Sequence, residues 1–147
     1  MPTRVYIVED HPVMRETLRD YLALSPDLEL CGEAGDAETA SEELEPAGPD
    51  VVVVDLSLPG RSGLELVEEI QARWGTPCVI LSGHGERTYV GKALAAGARG
   101  YVLKGNPADL PVAIRQVLSG EIYLSDGLRR KLDYDSGENY EAGVSGA

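Results

Sequence analysis

Val51-Val52-Val53-Val54-Asp55-Leu56-Ser57-Leu58-Pro59-Gly60 is the stretch on which the reading of this chain turns. Four consecutive β-branched residues without alternation suit a strand covered on both faces, as in a parallel sheet lying between two layers of helices. The run ends on a carboxylate, and Pro59-Gly60 marks a turn soon after it. The pattern recurs on both sides in Val5-Tyr6-Ile7-Val8, Cys78-Val79-Ile80-Leu81 and Tyr101-Val102-Leu103. Leu28-Glu29-Leu30-Cys31 alternates instead, as an edge strand does.

Helical periodicity fills the intervals. The first helix opens at Asp10 or His11, has Pro12 in its first turn, and repeats Met14, Leu18 and Leu22 at four-residue spacing. A second starts near Asp36, carries Ala37, Ala40 and Leu44, and is expected to end at Pro46. A third has a capping box, Ser62 with Glu65, ahead of Leu66, Ile70 and Trp74. A fourth runs from about Glu86 to Ala96 with Gly97 as its stop. A fifth starts at Asn106-Pro107, shows Leu110, Ile114 and Val117, and stops at Gly120. Fivefold strand–helix alternation predicts the α/β class. The expected architecture is a flavodoxin-like, doubly wound sheet of five parallel strands in the order 2-1-3-4-5, with helices on both faces. Residues 1–120 form this domain. Residues 121–132 read as a connector or short helical extension, and 133–147 as a disordered acidic tail.

The chain has 147 residues, enough for one self-sufficient core. Its net charge of −12 repels phosphate backbones, so direct nucleic-acid binding by this chain is not expected. The one dense basic cluster, Arg129-Arg130-Lys131, reads as a solvated helix end. No apolar run approaches the roughly 20 residues of a membrane span, and the start has no signal-peptide progression, so the expected compartment is the cytoplasm. Cys31 and Cys78 sit in apolar stretches outside any CxxC or Cys/His cluster and read as reduced, buried thiols rather than zinc ligands.

In an open parallel sheet, ligands bind beyond the carboxyl ends of the strands. Those ends carry Glu9-Asp10, Asp55, Ser82 and Lys104. Each alone has an ordinary explanation, as a helix cap, a turn former or a solvated lysine. Together they place three carboxylates, a hydroxyl and an ammonium on one rim. Three carboxylates there oppose one another's ionisation unless a cation is present, and Glu9 and Asp10 in particular are expected to do so. A hard divalent ion such as Mg²⁺ is the natural counter-charge.

This constellation resembles the receiver domain of two-component response regulators over about residues 4–119. The similarity rests on Glu9-Asp10, on Val53-Val54-Asp55-Leu56-Ser57-Leu58-Pro59-Gly60 with Gly63, on Leu81-Ser82-Gly83, and on Gly100-Tyr101-Val102-Leu103-Lys104. Val8-Glu9-Asp10-His11 and Gly97-Ala98-Arg99-Gly100-Tyr101 look most like the NarL/FixJ subfamily. The resemblance implies a switch rather than an enzyme, phosphorylated on Asp55 by a histidine kinase with Mg²⁺ present. It implies Asp10, Asp55 and the backbone carbonyl of Ser57 as Mg²⁺ ligands, with Glu9 acting through a water. Lys104 would pair with Asp55 and then with the phosphoryl group, and Ser82 would hydrogen-bond that group. Ser82 and Tyr101 would form the conformational switch. His11 and His84 read as exposed loop or helix-start residues, although His84, like Ser57, occupies a variable position lining the site.

Gly105 follows Lys104 where proline is frequent, and a cis bond without proline costs about 2.5–4 kcal/mol, which puts that geometry in doubt. Output would pass through self-association, giving a homodimer, or through a downstream protein. An alternative is the receiver half of a DNA-binding transcriptional regulator whose output domain is absent. Two further rivals are a haloacid-dehalogenase-type phosphatase, which wants an acid where Ser57 stands, and a pseudo-receiver that works without phosphorylation.

Overall fold

The computed structural model describes residues 1–125 and 128. The expectations for the Arg129-Arg130-Lys131 cluster and the 133–147 tail lie outside the described residues, as does most of the 126–132 helical extension. Elements alternate as expected: β1 (Thr3–Val8), α1 (Pro12–Ala23), β2 (Leu28–Ala34), α2 (Ala37–Ala47), β3 (Val51–Asp55), α3 (Gly63–Arg73), β4 (Cys78–Ser82), α4 (Arg87–Ala96), β5 (Gly100–Leu103), a 3-10 turn (Pro107–Asp109), α5 (Leu110–Leu118) and β6 (Tyr123–Leu124). The sheet is parallel in the order β2-β1-β3-β4-β5-β6. Among the described residues it therefore has six strands rather than five. Tyr123 and Leu124, in the segment expected to be a connector, pair with Gly100 and Tyr101 and cover the edge of β5, which would otherwise leave its backbone groups open.

Strand parity divides the core. Tyr6, Val8, Val52, Val54, Ile80 and Tyr101 face one side, where Leu44, Leu66, Ile70, Val90 and Ala93 pack on them. Val5, Ile7, Val51, Val53, Val79, Leu81 and Val102 face the other, against Leu18 and Leu22 of α1 and Leu110, Ile114 and Val117 of α5. Both faces of β3 are buried, which is why its sequence does not alternate.

Helix ends follow the sequence closely. Ser62 and Glu65 form the reciprocal capping box, and Asp36 caps α2 through Thr39 N–H at 2.7 Å. Gly97 ends α4 in the left-handed conformation with φ 111°. Pro46 does not end α2: the helix runs through it to Ala47, and Gly48 terminates it at φ 57°. A proline so near the end forfeits one backbone bond, to the carbonyl of the exposed Glu42, which water can satisfy. Cys78 is buried and its thiol is pushed up to about 12 by that burial, whereas Cys31 is only half-buried.

Candidate functional site

Register brings the predicted rim together. Val8 pairs with Val54, Asp55 with Leu81 and Ser82 with Leu103, so Glu9, Asp55, Ser82 and Lys104 emerge at successive steps along the same edge. Parity then sorts them. Glu9, Asp55 and Lys104 continue the α1/α5 side of their strands, while Ser82 and Tyr101 belong to the α4 side.

The first group is one ionic knot. Glu9 and Asp55 are fully buried, and Lys104 Nζ lies 3.2 Å from Glu9 Oε1 and 3.2 Å from Asp55 Oδ2. Asp55 Oδ1 accepts Ser57 N–H at 3.0 Å. Burial, reinforced by the Glu9 charge, raises the Asp55 carboxyl to about 6, against the opposing pull of the Ser57 amide and Lys104. On Lys104, burial works against the charge, but the Asp55 and Glu9 carboxylates overcome it and hold the ammonium above its ordinary value. Burial also acts against the Asp10 charge, but a hydrogen bond with Asp55 and the nearby His11 hold its carboxyl below the usual range. The crowding expected between Glu9 and Asp10 is thus not felt at Asp10; Asp55 is the carboxyl raised.

The second group is a hydrogen-bond chain. Ser82 Oγ accepts His84 N–H at 2.9 Å, and the Tyr101 hydroxyl donates to the His84 carbonyl. Tyr101 is fully buried, so its ring is turned inward. No peptide bond among the described residues is cis, so Lys104-Gly105 is trans.

Two contacts at the rim escaped the sequence reading. Arg15, on the first turns of α1, donates from Nη1 to the Glu9 carbonyl at 2.7 Å and so fixes the acidic turn. His11 is exposed, as expected of a helix start, but its Nδ1 lies 2.9 Å from Glu9 Oε2 and 3.2 Å from Asp10 Oδ1. Only side-chain geometry could reveal this, since neighbours in sequence need not converge.

Glu9, Asp10, His11 and Asp55 can each offer an atom within 4.8 Å of the others. Glu9 Oε1 and Asp10 Oδ1 are buried yet receive no hydrogen bond of proper geometry. Hard oxygen donors with unmet acceptor capacity fit a divalent cation.

Residues 5–115 match the model of the response regulator receiver domain. The chain belongs to the receiver family of two-component response regulators. It is 33% identical over 129 residues to the nitrate/nitrite response regulator protein NarL of Escherichia coli K12, a match covering 86% of this chain and 60% of that protein. It is 35% identical over 125 residues to the DNA-binding transcriptional activator DevR/DosR of Mycobacterium tuberculosis, covering 84% and 58%. Among solved structures, a LuxR-family two-component response regulator from Aurantimonas sp. SI85-9A1 superposes with a TM-score of 0.87 at 33% identity, covering 92% of this chain and 99% of that one. The receiver chain thus spans about 60% of the length of the curated relatives it matches. Among the described residues, no helix is long and apolar enough to cross a membrane.

Proposed function

We propose that this receiver takes a phosphoryl group on Asp55 from a phosphohistidine of a sensor kinase and reports it by a shift between two conformations. The observation that carries this is the pairing of a fully buried Asp55 with Lys104 at 3.2 Å beside a cation-fitting acidic cluster. A carboxylate oxygen of Asp55 bonds to phosphorus as the phosphorus–nitrogen bond breaks in a phosphohistidine protonated on its other ring nitrogen, leaving an acyl phosphate and a neutral histidine. Lys104 is placed to meet the charge on the transferring oxygens, the main protein contribution to phosphoryl transfer. Ser57 N–H holds one Asp55 oxygen, leaving the oxygen beside Lys104 for the reaction.

Asp10, Asp55 and the Ser57 carbonyl would hold Mg²⁺, with Glu9 acting through a water. When bound, the ion supplies positive charge to the phosphoryl oxygens. Ser82 and Tyr101 are the switch pair. A phosphoryl oxygen drawing the Ser82 hydroxyl loosens the His84 segment that Tyr101 now holds, and the population shifts accordingly. The domain then acts as a switch in the cytoplasm, with self-directed transfer and autodephosphorylation its only chemistry, and output runs through self-association or a partner protein.

Incubation with acetyl phosphate and Mg²⁺ should add one phosphoryl group by mass, and Asp55→Asn should abolish it. Equal labelling of the variant refutes the assignment. Steady turnover of an added phosphomonoester would favour a phosphatase. A second reading, the receiver portion of a DNA-binding regulator, is favoured by the span of about 60% against relatives whose names include a DNA-binding transcriptional activator. On either reading the −12 chain itself should give no mobility shift with duplex DNA at physiological salt.

A further inference from the structure

Residues 82–85, which join β4 to α4, are held at two places. At the first, Ser82 Oγ accepts His84 N–H at 2.9 Å and the His84 carbonyl accepts the Tyr101 hydroxyl. The second is one residue further on. A Cβ added to Gly85 would lie 3.4 Å from Leu103 Cδ2 and 3.7 Å from Leu128 Cδ1, so both leucine side chains reach the Gly85 backbone. By the same measure nothing lies within 4 Å of Gly83. Leu128 follows β6, yet it is only 4% exposed and belongs to the core cluster of Tyr101 and Val90. Its N–H donates to Ser125 Oγ at 3.4 Å, and Ser125 is itself buried. Tyr123 and Leu124 approach it along the edge of β5, where Tyr123 N–H donates to the Arg99 carbonyl at 2.9 Å. An aliphatic side chain of the connector is thus buried against the loop that a phosphoryl group on Asp55 would move.

We infer that Leu128 is an autoinhibitory latch: docked beside Gly85 and Leu103, it holds residues 82–85 in their unphosphorylated arrangement, and phosphorylation of Asp55 releases it and with it the connector. The inference rests on the reading of Ser82 and Tyr101 as a switch and adds the element on which that switch acts. Gly85 follows directly on His84, whose N–H and carbonyl both serve the switch. When the Ser82 hydroxyl turns to a phosphoryl oxygen, the His84 N–H loses its acceptor and the Gly85 backbone is free to shift with it. A gap of about 0.5–1 Å already forfeits a quarter to a half of a dispersion contact, so a small shift unseats Leu128. β6 pairs through only two residues and is too short to hold the connector by itself. Linkage requires the converse. A docked Leu128 opposes the phosphoryl group by the same factor by which the phosphoryl group opposes docking.

Two measurements on the full chain test the latch, with beryllofluoride and Mg²⁺ as a reversible stand-in for the phosphoryl group. Hydrogen–deuterium exchange read by mass spectrometry should show residues 121–128 exchanging at least about fivefold faster in the beryllofluoride-bound wild type than in the free protein. Calorimetric titration should show Leu128→Ala binding beryllofluoride at least about fivefold more tightly than the wild type. Leu128→Met refills the seat and should lie close to the wild type. Leu24→Ala, which trims a 77% exposed side chain just after α1, should match it. Equal beryllofluoride affinity in Leu128→Ala and the wild type, or unchanged or slower exchange of residues 121–128 in the bound wild type, overturns the inference while labelling of Asp55 by acetyl phosphate persists. The exchange measurement needs no variant, so it decides even if Leu128→Ala does not fold. A wild type that neither binds beryllofluoride nor takes label from acetyl phosphate is instead the failure of the phosphorylation reading, and the latch falls with it.

Discussion

The rim at the carboxyl end of the sheet and the seam between the loop after α1 and helix α5 both carry paired charges, under opposite physical conditions. At the rim, Glu9 and Asp55 have no solvent exposure and share one ammonium. At the seam, Arg115 grips Asp27 with two hydrogen bonds of 2.8 and 2.9 Å, shorter than either Lys104 ion pair at the rim, yet both partners are about half exposed. Water and salt weaken the seam pair, so its good geometry contributes little. Desolvation makes the rim costly and therefore responsive, because whatever neutralises it changes the energy of the whole site. Geometry alone would rank the two regions in the wrong order; burial ranks them correctly.

The largest effect should come from disturbing the rim through its backbone support. α3 begins at Gly63 directly behind the acceptor, where an added Cβ would lie 2.2 Å from the Asp55 carbonyl oxygen and 3.1 Å from Leu56 Cα. Neither backbone atom can move without shifting the end of β3. Gly63→Ala is expected to destabilise the domain by about 3 kcal/mol or more and to slow acetyl phosphate labelling. Gly83→Ala, where nothing lies within 4 Å, should be close to neutral. Denaturant titration of the two variants checks this, and similar midpoints would show that α3 yields freely to the acceptor strand.

That support was legible in the sequence only in part. The uninterrupted Val51–Val54 run, the Ser62/Glu65 box and the strand-end carboxylates give the α/β fold and the composition of the rim, because burial on both faces and reciprocal capping leave local signatures. β6 was not expected as a strand, since two residues are too few to show a period, and its pairing depends on the open edge of β5. Pro46 misled because its lost bond falls where the helix was about to end. At the site, the residue types were readable, but the division between Glu9, Asp55 and Lys104 on one side and Ser82 and Tyr101 on the other comes from strand parity and register. The approach of His11 to both acids depends on rotamers at a helix start, and the periodicity of the sequence says nothing about those.

A smaller and reversible effect follows from the Asp55 carboxyl, which burial raises from 3.8 to about 6. A carboxyl raised on folding favours the folded state below its unfolded value, and that contribution is lost as pH rises through about 6. At about 1.4 kcal/mol for each tenfold change in acidity, the full difference is up to about 3 kcal/mol. Metal-free protein should therefore lose stability between about pH 4 and pH 6.5 from this group, and Asp55→Asn should remove that slope and be more stable than the wild type at pH 7. Saturating Mg²⁺ should raise the wild-type melting temperature and leave Asp55→Asn much less affected. A metal-free wild type with no such slope would mean that Lys104 neutralises the rim completely, which would undo the contrast with the seam.

The smallest effect is expected at the seam itself. Hydrogen bonds from Arg115, against weak opposition from burial, hold the Asp27 carboxyl below its usual range. The sign is therefore opposite to that of Asp55: its contribution is present above the unfolded carboxylate value and is lost as pH falls through the lower folded one. Because both side chains are about half exposed, solvent and salt screen the attraction. Asp27→Asn and Arg115→Gln should each leave the thermal midpoint at pH 7 within measurement error, and the double variant should show no coupling between them. Raising the salt concentration should not distinguish the variants from the wild type. A clear coupling that survives high salt would mean that the bidentate geometry of Arg115 on Asp27 outweighs its exposure, and that the seam between the loop after α1 and helix α5 is held by charge as firmly as the rim.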